Sequence, residues 1–186
     1  MNHSKIVGGS TASRVIHCPG SVLDTACDPA DMVGFEAHGL TLTEDLLDRK
    51  LHPALALLCE YDPEKKLEYI TEATVDFGDL LPGVFGSSDI VGRLNGRAVI
   101  LDWKFGDGVM VEAKENMQLM FYAAAAMRTA SCQWAFDGVT EVECVIIQPP
   151  YIRTWTTTVE RIRKFERQLV RAVAASALPN APLNLG

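Results

Sequence analysis

Apolar positions along the chain recur with two different periods, and the changes of period outline the elements. Residues 10–20 read as a short helix that Ser10 or Thr11 could cap and that Pro19-Gly20 stops. Residues 32–59 read as helical, with Phe35, Leu40, Leu46, Leu47, Leu55 and Leu58 as apolar points, and Pro53 breaks or restarts that helix. Residues 67–77 alternate and are rich in β-formers, which predicts a strand. Pro82-Gly83 turns the chain into a second strand over 84–94, and Asn95-Gly96 is a two-residue hairpin signal. The third strand, 97–105, contains Ala98-Val99-Ile100-Leu101, which is apolar on both faces as a central strand requires. An Ala- and Met-rich helix follows over 113–130. A strand over 141–148 ends at Pro149-Pro150; a strand over 152–157 then leads into a helix over 158–177. The tail, 178–186, holds two prolines and reads as flexible. The order α-βββ-α-β-β-α predicts an α/β (mixed α+β) fold: a central mixed sheet flanked by helices, one domain over 1–186 with its core at about 10–175.

Composition narrows this picture. A chain of 186 residues with 48% hydrophobic content suits one well-buried domain better than two. No apolar run reaches the roughly 18–20 residues that cross a bilayer, so no membrane association is expected. Met1-Asn2-His3-Ser4-Lys5 lacks the apolar core of a secretory signal, and the expected compartment is the cytoplasm. The five cysteines, at 18, 27, 59, 132 and 144, form no CxxC pair and read as reduced, mostly buried thiols. The net charge of −7 argues against broad nonspecific binding of nucleic acid. It does not argue against a nuclease, because acidic metal ligands add to the negative count and the bound cations then reverse the local field.

The chemistry gathers around the Asn95-Gly96 hairpin. Asp102 and Lys104 are two residues apart near the end of the third strand and share a face. The hairpin folds this strand against the second, so Asp89 and Asp102 can converge across the ladder. Two converging carboxylates suit a hard divalent cation such as magnesium or manganese. Such a cation can polarise a phosphodiester and generate hydroxide, while a neighbouring lysine orients water and offsets developing charge. The alternative is a surface hairpin with ordinary charges. Charged residues closing an apolar strand weigh against that, since burial there is costly without a partner.

The run Phe85-Gly86-Ser87-Ser88-Asp89-Ile90-Val91, followed by Val99-Ile100-Leu101-Asp102-Trp103-Lys104-Phe105-Gly106, resembles the core of the PD-(D/E)XK nuclease superfamily in its RecB-like, phage lambda-exonuclease-type branch. Asn116-Met117-Gln118-Leu119-Met120-Phe121-Tyr122 is similar to the QxxxY helix of that branch. Glu36-Ala37-His38 is similar to its helical histidine, and Thr11-Ala12-Ser13-Arg14 with Cys18-Pro19 to its N-terminal helix. The resemblance implies a restriction-endonuclease-like core. It implies His38, Asp89 and Asp102 as ligands of Mg2+ or Mn2+, with the Trp103 backbone carbonyl as a further oxygen ligand. Lys104 would activate water, and Gln118 and Tyr122 would position the lysine or a phosphate. Arg14 would hold a terminal 5′-phosphate; a surface arginine is the alternative. Glu36 and Glu72 could ligate or support the site, but a solvated role is the simpler expectation for both, and His17 and His52 rank below His38.

The pattern departs from the family in two places. Ser88 stands where the motif has proline. Only Cys18 matches the cysteines of the iron–sulfur members and no cysteine follows Cys144, so no iron–sulfur cluster is expected. No Walker A sequence is present, so the chain carries no ATPase signal of its own. On the last helix, Arg161, Lys164, Arg167 or Gln168, and Arg171, with Arg163 nearby, are spaced to track a DNA backbone, or equally to form a solvated face with Glu160 and Glu166. The function expected is a metal-dependent DNA exonuclease for phage DNA recombination or processing. It would act on DNA ends in the host cytoplasm, with a homo-oligomeric ring and a recombination or annealing protein as candidate partners. The alternatives are a structure-specific or nicking endonuclease on the same core, and a catalytically idle domain that binds DNA or a recombinase.

Overall fold

The computed structural model describes residues 36–37, 40–41, 43–106 and 109–176. Strands β1 (Glu36–Ala37) and β2 (Leu40–Thr41) form a small antiparallel ladder, Glu36 opposite Thr41 and Ala37 opposite Leu40. This corrects the helix expected from residue 32. The helix starts only after Thr43, which is extended (φ −101°, ψ 160°) and whose hydroxyl accepts from Leu46 N at 3.3 Å. A capping threonine in that conformation is a helix boundary, so the chain before it is left to pair as strand. Helix α1 (Glu44–Leu46) widens into a π-helical segment, Leu47–Leu51, and continues as α2 (His52–Tyr61). Pro53 lies in the first turn of α2, where its missing amide hydrogen is tolerated. It therefore marks a change of helix type rather than an end.

The main sheet has five strands in the order β3 (Glu68–Asp76), β4 (Phe85–Leu94), β5 (Arg97–Trp103), β6 (Glu141–Gln148) and β7 (Tyr151–Thr158). Neighbours run antiparallel except β5 and β6, which are parallel and are joined through α3 (Met117–Ala126). The chain closes with α4 (Val159–Ser176). Asn95 and Gly96 both have positive φ, 49° and 78°, and join β4 to β5 with Leu94 opposite Arg97. A two-residue hairpin with that pair of signs matches the twist of the flanking strands.

The protein is thus a mixed α+β fold with a five-stranded mixed sheet flanked by helices. On one face, α3 and α4 pack Leu119, Met120, Ala123, Ile162 and Phe165 against Ala73, Val91, Ile100 and Ile146. On the other, α2 packs Ala54 and Leu58 against Ile90, Leu101, Trp103 and Val145. Central β5 is buried from Ala98 to Trp103, as its two apolar faces require. At Gly92 a Cβ would lie 2.6 Å from the Glu68 carbonyl oxygen, so only glycine lets β3 and β4 approach this closely. Among the described residues, no helix is long and apolar enough to cross a membrane.

Candidate active site

The site grows from a fault shared by β3 and β4. Their ladder pairs Thr71 with Ile90 and Ala73 with Ser88, and skips Glu72 and Asp89, which lie opposite each other. Side chains of a regular strand alternate between faces. Ile70, Ala73 and Val75 nonetheless all pack on the α3 side, so the alternation slips one step at Glu72. Glu72 takes up the slip with a left-handed φ of 49°, a conformation uncommon for a residue with a Cβ. On the other flank the β4–β5 ladder stops at Ile90 opposite Leu101. The next amide, Trp103 N, donates to Asp89 Oδ2 at 2.8 Å. The Asp89 carboxylate thereby bonds β5 where the backbone ladder has ended.

Asp102 faces α3, and its side chain is only 5% exposed. Its Oδ1 accepts from Gln118 Nε2 at 3.1 Å. Its Oδ2 is buried and makes no hydrogen bond. It lies 2.5 Å from Lys104 Nζ in a salt bridge. Lys104 Nζ in turn donates to Gln118 Oε1 at 3.0 Å, and Gln118 Nε2 also donates to the Tyr122 hydroxyl at 2.8 Å. Gln118 thus uses both amide hydrogens and its carbonyl to join Asp102, Lys104 and Tyr122. It is aimed by the start of α3, where Asn116 Oδ1 accepts from Gln118 N and Leu119 N at 3.0 and 3.1 Å. This cap also explains why α3 begins at Met117 rather than at the expected residue 113.

The electrostatics follow from the burial. Burial pushes the Asp89 carboxyl up to about 7; the Asp102 charge adds to the rise, the Trp103 amide opposes it, and Glu72 adds a further repulsion. Burial also raises Asp102, against the pull of the Lys104 ammonium. Burial raises the Tyr122 hydroxyl, and the charges of Asp102 and Asp89 add to that. Two carboxylates that repel in a dry place are costly when both are ionised, and a bound cation removes the cost. The donors present, the carboxylate oxygens of two buried and mutually repelling acids, fit a hard divalent ion. Among the described residues, no group of three or more His, Cys, Asp or Glu side chains is gathered closely enough to hold a metal by itself. Asp89 and Asp102 supply two of the expected ligands, while His38, the third, lies outside the described residues, as does Arg14.

Of the expected site residues, the structure brings together Asp89, Asp102, Lys104, Gln118 and Tyr122. The Trp103 ring packs toward α2, stacked on Phe105 with centroids 6.2 Å apart, so it takes no part on the Asp102 side. Lys104 follows the end of β5 at Trp103, two residues short of the expected strand end. Lys164, Arg167 and Arg171 lie on α4, where Arg167 already pairs with Glu160 at 2.8 Å. Glu72 is the residue the sequence placed in solvent and the structure places opposite Asp89. Of the cysteines described, Cys132 and Cys144 are buried and Cys59 is exposed, in keeping with the mostly buried thiols expected.

A family model described as "Protein of unknown function (DUF2800)" matches residues 57–183, more than half of the chain. The chain belongs to the DUF2800 family. The DUF2800 match takes in the second half of α2, the whole main sheet, α3 and α4. It therefore includes Glu72, Asp89, Asp102, Lys104, Gln118 and Tyr122, and leaves Arg14 and His38 ahead of it. Among solved structures, one titled "Crystal structure of SSO0001" is 17% identical, with 92% of this chain and 76% of that chain covered at a TM-score of 0.31.

Proposed function

We propose that this chain is a metal-dependent deoxyribonuclease of the PD-(D/E)XK type that degrades DNA from its ends. The observation that carries the reading is the bonded set Asp102–Lys104–Gln118–Tyr122 beside Asp89, with acid and base held in fixed register at the end of a buried strand. Asp89 and Asp102 would hold Mg2+ or Mn2+, with the Trp103 carbonyl and His38 completing the set that the family resemblance names. When bound, the ion supplies Lewis acidity toward the phosphodiester and acidifies water. Lys104 is held between Asp102 and Gln118, so its ammonium stands ready to orient water and to offset the charge that builds on the phosphate. Gln118 fixes that lysine, and Tyr122 fixes Gln118. The free thiols Cys59, Cys132 and Cys144 support work in a reducing compartment such as the cytoplasm.

The test is digestion of linear and covalently closed circular DNA with manganese or magnesium, using the wild type and the Asp102→Ala and Lys104→Ala variants. Wild type is expected to degrade linear DNA and spare circles. Each variant should lose on the order of 10²- to 10⁴-fold in rate. Cleavage of closed circles would replace the exonuclease with an endonuclease. No metal-dependent cleavage, or cleavage that survives both substitutions, would remove the nuclease reading.

A further inference from the structure

A cavity of about 220 Å³ opens beside Lys104, lined by Arg49, Lys50, Lys104, Phe105, Gly106 and Pro149. Three of these six residues are cations, and none is an acid. Three segments far apart in sequence build the pocket. Lys104, Phe105 and Gly106 leave the end of β5, and Pro149 leaves the end of the parallel neighbour β6. Arg49 and Lys50 come from the π-helical segment Leu47–Leu51, anchored by the buried side chains of Leu47 and Leu51. A π turn holds one residue more than an α turn, and such turns recur at functional sites.

We propose that this pocket binds a phosphate group of the nucleic-acid strand next to the one that is cut. The inference rests on the nuclease reading for its substrate, and it adds the residues that seat the strand. Guanidinium and ammonium groups are the side chains that recognise phosphate oxygens, Arg through a planar fork and Lys as a point charge. Arg49 is held by Asp45 at 2.6 Å, in a pair whose two side chains are 72% and 61% exposed. Such exposed pairs contribute little, so a phosphate competes with Asp45 for the guanidinium. The volume lies below the roughly 300 Å³ at which pockets begin to enclose whole organic ligands. It suits a phosphate with part of its sugar, with Phe105 and Pro149 as the apolar wall. Because Lys104 lines both this pocket and the Asp102 network, a phosphate seated here holds the strand beside the proposed metal ligands.

The experiment measures binding of a short fluorescent single-stranded oligodeoxynucleotide to the full chain in metal-free buffer, where no cleavage occurs. The strands carry a 5′-phosphate, a 3′-phosphate or neither, and a further series replaces one internal phosphate at a time with a neutral methylphosphonate. Arg49→Ala/Lys50→Ala is expected to weaken binding about tenfold at low salt. Arg49→Lys/Lys50→Arg should retain most of the affinity, which separates lost charge from lost folding. One modified or missing phosphate should cause the same loss in wild type and no further loss in the alanine double variant. A terminal position identifies a strand-end monoester, and an internal position identifies a backbone diester. Unchanged affinity in the alanine variant, or equal sensitivity of both proteins at every phosphate, would overturn the pocket. The pocket and the nuclease reading fail separately, because the DNA digestion above scores cleavage and this titration scores binding without it.

Discussion

Asp89 carries two opposed demands. Its carboxylate completes the junction of β4 and β5 through the Trp103 amide, yet it does so buried and facing the charge of Asp102. Its pKa in the folded protein is raised from 3.8 to about 7, mainly by burial. The sign is therefore that of an acid whose folded form prefers the proton. Stability tied to this group is fully present below pH 3.8 and is lost as the pH rises through about 7. Asparagine keeps an oxygen for Trp103 and removes the charge. Asp89→Asn should melt higher than wild type at pH 8 in metal-free buffer, and the difference should vanish by about pH 4 in thermal denaturation. An equal melting temperature at pH 8 would mean that Asp89 bears no such cost. Adding manganese should raise wild type at pH 8 and leave Asp89→Asn nearly unmoved. Asp89, Asp102 and Lys104 were legible in the sequence because alternation and the Asn95-Gly96 hairpin place them together with no tertiary knowledge. Glu72 was not. Its strand alternates cleanly on paper, and a left-handed φ at a glutamate has no signature in residue type. Only the pairing of β3 with β4 reveals the slip.

Elements were more legible in kind than in extent. The five main-sheet strands and the helix after the site follow from period and turn chemistry, while the ends depend on capping, which competes locally with propensity. Residues 113–116 are good helix formers apart from Asn116, yet Asn116 caps and α3 starts one residue later. Thr43 does the same for α1 and leaves Glu36–Ala37 and Leu40–Thr41 to pair as strands. The Asn116 cap has a functional side, because the amide it holds belongs to Gln118. Asn116→Ala should cost about 1 kcal/mol of stability by denaturant titration. Activity on linear DNA should fall further than that loss accounts for, since fraying the first turn of α3 frees Gln118 from Asp102 and Lys104. Asn116→Ser or Asn116→Asp, which can also cap, should recover most of both. If Asn116→Ala lost stability but kept full activity, the first turn of α3 would not be what aims Gln118.

At the scale of the whole molecule the question is how a chain of net charge −7 can hold a polyanion at all. The sequence offered α4 as a basic track, but the structure has already engaged part of it. Arg161 reaches both oxygens of Glu115 through two of its nitrogens. Arg128, from the turn after α3, likewise grips both oxygens of Glu166 on α4. Forked pairs of this kind tie α4 to the chain at both ends of α3 and withhold charge from a ligand. Beside the site, Arg49, Lys50 and Lys104 line one pocket, and the pair that Arg49 makes with Asp45 is an exposed one. Salt dependence separates the two surfaces, because each phosphate neutralised by the protein contributes about 0.9 to the slope of log affinity against log salt on duplex DNA. Calcium can be added at fixed concentration to fill the carboxylate pair without the preferred catalytic ions. Under those conditions Arg49→Ala/Lys50→Ala should flatten the slope by about 0.9, corresponding to the one phosphate contact the pocket makes. Arg161→Ala should leave it unchanged. The reverse pattern, a slope that falls with Arg161→Ala and ignores Arg49 and Lys50, would route the strand along α4 and break the ion pair with Glu115 in the bound state.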